Sequence, residues 1–226
     1  MENTFAGVPL KVEYKKTRST MSMTFDKSGT LVVYAPEKTA DGDIIRFMSE
    51  HRRWIRIHHT KAEAFAENSS DVKVSDGGSI FYLGEKLTVR ISGRGRIIKK
   101  EQEIIFPEGS TDESFVKWLK KRSREHLAAR LTFISEKTGI GYMTLRISGA
   151  RGSWGSCTST GTVSLSWRLM MCPPDVIDYV IVHELCHRHH MDHSSEFWNE
   201  VEDMMPDYKE KKKWLDDNSY LMDLFV

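Results

Sequence analysis

Long apolar runs are missing from this 226-residue chain: none approaches the roughly 20 consecutive residues that a membrane span requires. Cysteine is scarce, and its three copies, an odd number, cannot form a paired disulfide framework, which suits a reducing compartment. An excess of either charge is lacking as well. Lys and Arg number 33 against 32 Asp and Glu, so the formal net charge is +1 and gives no drive toward nucleic acid or an anionic membrane. The opening residues carry neither the basic start nor the apolar centre of a secretory signal, so a cytoplasmic protein is expected. No internal repeat and no low-complexity tract stands out. With 39% apolar and 29% charged residues the chain has too much to bury for disorder. Its length allows one large domain or two small ones.

The first hundred residues carry mostly strand signals. Short alternating or β-branched runs at 10–14, 20–25, 31–34, 79–83, 86–91, 96–99 and 103–106 are separated by charged or glycine-bearing turns. One helical stretch, about 43–67, interrupts them, with Ile44, Phe47, Met48, Trp54 and Ile55 at helical spacing. Past Pro107 the pattern changes. Ser110 and Glu113 have the spacing of a capping box, and Phe115, Trp118, Leu119, Leu127, Leu131 and Ile134 carry an amphipathic helix to a stop at Gly139. The expected organisation is α+β: a β-rich region with one helix over 1–108, then a second domain over 109–226 ordered long helix, strand, strand, helix, helix. Six basic residues within 86–100 are broken by turns and have no aromatic among them. They read as a solvated face and not as a nucleic-acid groove.

The chemistry is concentrated elsewhere, because five of the nine histidines lie between His183 and His193. His183-Glu184-Leu185-Cys186-His187 is an H-E-x-x-H string. Residues four apart share a helix face, so His183 and His187 can point two imidazoles at one metal, while Glu184 can reach a water there as general base. Pro173 and Pro174 suit a helix start, Asp175 and Asp178 suit its first turn, and the apolar run around them predicts a buried helix. A catalytic zinc takes three protein ligands and keeps one position open. His189 would point away on a continuing helix, and His190 is a candidate if the helix continues. His193 has the separation found where the chain turns back, and Asp192 to Trp198 read as the cap and first turn of a helix reaching Met204. The expected third ligand is His193, with His190 as its rival.

Further motifs accompany this string: Trp154-Gly155-Ser156-Cys157, Val163-Ser164-Leu165-Ser166-Trp167-Arg168-Leu169, Ile177-Asp178-Tyr179-Val180, His193-Ser194, Phe197-Trp198 and Met205-Pro206-Asp207-Tyr208. In this order they resemble the YgjP-like metallopeptidase family, relatives of SprT-like and other zincin proteases. The resemblance implies a zincin-like, minigluzincin-type helix-and-sheet metallohydrolase domain after the β-rich region. It also implies a zinc site of His183, His187 and His193, a catalytic Glu184, and a peptide or protein substrate. Ser153 stands where the family often has arginine, and Asp192 where it often has asparagine.

Residues 163–169 alternate as in a half-buried strand. In zincin-like folds such an edge strand pairs with an extended substrate, which makes Trp154, Ser156 and Arg168 expected substrate contacts. Arg168 would meet an oxyanion, a carboxylate or a phosphate. Equally, Trp154 is core and Arg168 pairs with a surface acid. Cys157 and Cys186 read as small packing residues. The expected function is that of a zinc-dependent metallopeptidase. One alternative keeps the zinc and makes the substrate a nucleotide, since YgjP-like proteins have been linked to nucleoside triphosphate pyrophosphatase activity, although no glycine-rich phosphate loop is visible. The other is a non-enzymatic binding module with a structural zinc, against which the intact Glu184 speaks.

Overall fold

A computed structural model of the chain describes residues 4–26 and 28–225. Contacts divide it into two compact units, Met1–Ser70 and Asp71–Val226, so the boundary expected at 108 falls inside the second. The cause is visible at residues 79–106. Their strands bond to the later half of the chain, with Leu83 N–H donating to the Met170 carbonyl (2.7 Å) and Gly84 N–H to that of Met171 (3.2 Å).

The first unit holds β1 (Thr4–Phe5), β2 (Val8–Lys15), β3 (Ser22–Phe25), β4 (Leu31–Pro36), α1 (Asp41–Glu50) and α2 (Arg52–Ser69). Its sheet runs β1-β2-β4-β3, with β2 and β4 parallel and the outer pairs antiparallel. Leu31, Val33 and Ala35 alternate onto one face and bury against Ile44, Met48 and Ile55 of the helices. The single helix expected at 43–67 is broken at His51. The Ser49 hydroxyl donates to the Ile45 carbonyl (2.7 Å) and His51 Nδ1 bonds the Phe47 carbonyl (2.8 Å), so side chains occupy acceptors at the break.

The second unit opens with β5 (Ser79–Tyr82), β6 (Glu85–Ile91), β7 (Ile98–Lys100) and β8 (Glu103–Phe106), in the order β5-β6-β8-β7. Helix α3 (Asp112–Thr138) follows and ends at Gly139 as expected. Its capping box lies one residue later than expected: Thr111 and Ser114 exchange the bonds, not Ser110 and Glu113. A three-stranded sheet comes next, β9 (Thr144–Ser148), β10 (Gly155–Cys157) and β11 (Thr162–Ser166), ordered β10-β11-β9, so β10 is an edge. The strand expected at 163–169 as a substrate-pairing edge stops at Ser166 and lies between β10 and β9, so it is central and not an edge. Residues Trp167–Met171 coil into a 3-10 turn in which all five side chains are buried, so alternation ends there. Helices α4 (Pro174–Cys186), α5 (Ser195–Met204) and α6 (Tyr208–Asp217) complete the unit. Arg130 of α3 clamps Asp178 of α4 through two bonds (2.9 and 2.6 Å), fixing one helix against the other. No helix among the described residues is long and apolar enough to cross a membrane.

Candidate metal centre

Helix α4 starts with Pro174 in its first turn, where a missing N–H costs nothing. Val176, Ile177, Tyr179, Val180, Ile181, Val182, Leu185 and Cys186 are all buried, so the helix is walled in on nearly every side. Into this apolar rod the sequence sets His183, Glu184 and His187. The two imidazoles, one turn apart, have ring centroids 5.0 Å apart and stand edge to face.

The helix ends at Cys186, with His187 as its cap. The chain then turns, His190 N–H bonding the Cys186 carbonyl (3.0 Å). Asp192 accepts from Ser194 N–H (3.2 Å), and the Ser194 hydroxyl accepts from Phe197 N–H (3.5 Å) to start α5. This reversal carries the His193 ring to 5.1 Å from His183 and 4.8 Å from His187. The Nε2 atoms of His193 and His183 lie 3.1 Å apart. One ligand nitrogen from each of the three rings lies within 4.8 Å of the others, and this is the one such group among the described residues. Ligands at the usual zinc–nitrogen distance on a tetrahedral ion stand about 3.3 Å apart, so the donor set and spacing fit a small divalent metal. His190 is not in the group; its ring lies with Glu200 instead, 3.7 Å from the carboxylate.

The surroundings favour the neutral form of His183 and His193. Burial, then the charges of His187 and His193, push His183 down to about 3. Burial also lowers His193. His187 Nδ1 bonds the His190 carbonyl (2.9 Å), an acceptor only, so that nitrogen carries the proton and Nε2 is left free to ligate. Phe197 packs against all three rings, stacked on His187 (4.6 Å) and edge-on to His183 and His193 (each 4.9 Å). Trp198 stacks on His193.

Glu184 is buried, and burial alone pushes its carboxyl up to about 8. Its Oε2 has no hydrogen-bond partner among the described residues. A buried, unpartnered carboxylate beside three convergent imidazoles is costly unless a cation or a proton shares the site. Edge strand β10 passes directly over it. A methyl group on Gly155 would stand 2.6 Å from Glu184 Oε1, 2.8 Å from Cγ and 2.9 Å from Cδ, so only a residue without a side chain brings the strand this close.

The other expected contacts scatter. Ser156 is exposed on β10. Trp154 is half-buried, and its carbonyl accepts from Ser166 N–H (2.8 Å). Arg168 is buried in the 3-10 turn, donates to the Gly149 carbonyl (3.2 Å) and lies 4.2 Å from the Trp167 ring centroid. Cys186 packs against Met204, and Cys157 is on β10. Three residues were invisible as site residues from sequence. In the sequence Gly155 and Phe197 stand only as members of motifs, and Glu200 as an ordinary position of the expected helix. Glu200 of α5 bonds His189 Nδ1 (2.6 Å) and so ties down the turn that supplies the His190 carbonyl.

A family model described as "YgjP-like, metallopeptidase domain" matches residues 19–218. No curated protein matches the chain. Among solved structures, the metallopeptidase zymogen abylysin of Pyrococcus abyssi is similar to it at 25% identity, over 39% of this chain and 90% of that one, with a TM-score of 0.37.

Proposed function

The chain belongs to the YgjP-like metallopeptidase family, and from that premise we propose that it is a zinc-dependent peptidase with its active centre at the foot of α4. The observation that carries this reading is the convergence of His183, His187 and His193 beside the buried Glu184. Three imidazoles with room for a fourth ligand are the donor set of a catalytic zinc, whereas a structural zinc is closed by four protein ligands. When bound, zinc supplies Lewis acidity, polarising a peptide carbonyl and acidifying water.

The chain's own residues do the rest. Glu184 takes the proton of the attacking water and returns it to the leaving amine. Its burial matches this task, because a carboxyl raised toward neutrality holds a proton long enough to deliver it. Edge strand β10 offers unpaired main-chain groups along which an extended peptide adds as a further strand, directly above Glu184. Ser156 lies on that strand and Trp154 at its start, while Arg168 braces the Gly149 carbonyl behind them. This placement supports reading helix, edge strand and third histidine as a zincin-like arrangement.

The test compares wild type with Glu184→Gln, each loaded with zinc, on denatured proteins and on a panel of nucleoside triphosphates. Peptide-bond cleavage lost in the variant is the expected result. Cleavage unchanged by the substitution removes the role of Glu184, and zinc-dependent pyrophosphate release without proteolysis moves the substrate to the nucleotide class.

A further inference from the structure

The two four-stranded sheets share more than their strand count. In each the order is first-second-fourth-third, and the pairings run antiparallel, parallel, antiparallel. In each the first two strands join through a two-residue turn, Phe5 opposite Val8 and Tyr82 opposite Glu85. Both turns place a non-glycine residue in the left-handed region (Ala6 φ 51°, Leu83 φ 50°) followed by a glycine (Gly7 φ 84°, Gly84 φ 81°). Registers agree as well: Val12 faces Val33 and Tyr14 faces Ala35, as Val89 faces Ile104 and Ile91 faces Phe106. A proline follows the last buried position in both, Pro36 and Pro107. A helix then begins at the same remove, at Asp41 and Asp112. It buries matching positions, Ile44 and Met48 in one, Phe115 and Leu119 in the other.

We infer that residues 4–50 and 79–121 are two copies of one ββββα module, and that the hairpin turn of the second copy, at Gly84, is a positioning element for the proposed metal helix. In the second copy the two turn amides hold the carbonyls of Met170 and Met171, one residue short of Pro173, the cap of α4. A methyl group on Gly84 would lie 2.8 Å from Pro173 Cγ, 2.9 Å from its Cα and 3.0 Å from its nitrogen. The nearest atom belongs to the closed proline ring and the next two to the backbone, so the contact cannot relax by turning a flexible side chain. A buried helix moves as a rod, and a push at Pro173 is carried to His183, Glu184 and His187 together. His193 stands on the turn beyond the helix and Gly155 on another strand, so the push changes the spacing of the metal ligands. The first copy supplies the control: its Gly7 has nearly the same φ, but among the described residues nothing lies within 4 Å of where its side chain would be.

The inference rests on the metal-centre reading, and the experiment separates the two. Zinc affinity is measured by chelator competition for wild type, Gly7→Ala and Gly84→Ala. In addition, amide exchange of the wild-type chain is followed with and without zinc. Both substitutions carry equal backbone strain, so any difference isolates the contact with Pro173. Gly84→Ala is expected to weaken zinc binding at least tenfold, and Gly7→Ala to leave it within twofold. Exchange at Leu83 and Gly84 is expected to slow at least tenfold with zinc, while Ala6 and Gly7 exchange as before. The exchange arm needs no variant and stands even if Gly84→Ala fails to fold. Equal zinc affinity in a folded Gly84→Ala, or zinc binding that leaves Leu83 and Gly84 exchange unchanged, overturns the positioning role alone. A wild type that binds no zinc removes the metal-centre reading and this role with it.

Discussion

Gly155→Ala turns the closest contact of the site into a measurement. The added methyl would lie 2.6 Å from Glu184 Oε1, with Cγ and Cδ under 3 Å away. Carbon contacts settle near ~3.5–4.0 Å, so strand and carboxylate must separate by roughly 1 Å. Overpacking of this kind costs about 1–3 kcal/mol of stability. A displacement of roughly 1 Å at a reacting group costs up to about 100-fold in rate. The contact falls on the Glu184 side chain and the edge strand, which yield without moving the helix backbone, so zinc content stays at the wild-type value while kcat falls about 10- to 100-fold. The control is the same substitution made in Glu184→Ala, which deletes all three of the close atoms. There Gly155→Ala becomes nearly neutral in thermal unfolding, giving a coupling of about 1–3 kcal/mol between the two positions. Equal destabilisation in both backgrounds, or a Gly155→Ala enzyme with wild-type kcat, would refute the claim that the strand is held at the carboxylate by the absence of a side chain.

Other residues give independent checks. Phe197, fully buried and packed on all three imidazoles, costs about 3–5 kcal/mol as Phe197→Ala, read by denaturant unfolding of the metal-free chain. A loss under about 1 kcal/mol would show that it does not support the cluster. Glu200→Ala frees His189 and the turn carrying the His190 carbonyl. Zinc affinity is expected to drop about tenfold with little change in metal-free stability, and unchanged affinity sinks that role. In the metal-free protein, Glu184 keeps its proton up to about 8, whereas the unfolded chain loses it near the ordinary carboxylate value. The folded state then binds more protons in that window, so stability falls as pH rises from roughly 4.5 to 8. Glu184→Gln removes that decline, and parallel pH profiles for the two proteins would contradict it.

Local signals were the legible part. Strands at 31–36 and 103–106 follow from β-branched and aromatic runs, and the start of α4 and the stop of α3 follow from Pro174 and Gly139. The three clustered histidines were also legible, because helical spacing and a capping serine are properties of a short window. What escaped depends on tertiary contact. The break at His51 comes from side-chain bonds to carbonyls, and the 3-10 turn at 167–171 from burial on every side. The approach of Gly155 to Glu184 and the tie from Glu200 to His189 join residues whose closeness is set only by packing. The repeated module was hidden for a different reason. The link from Val12 to Val33 is longer than that from Val89 to Ile104, so no single period aligns hairpin, strand and helix at once. Core positions recur as different residues, Ala35 against Phe106 and Ile44 against Phe115, because packing needs an apolar volume and not a particular side chain.

His183, His187 and His193 are proposed to hold one catalytic metal. Zinc stoichiometry after equilibration and desalting, measured on the wild type and on His193→Ala, tests it most directly. About one zinc per wild-type chain is expected, with a weakly held, substoichiometric amount in the variant and both proteins folded. A wild type free of zinc, or a His193→Ala chain that keeps a full equivalent as tightly as the wild type, would contradict it.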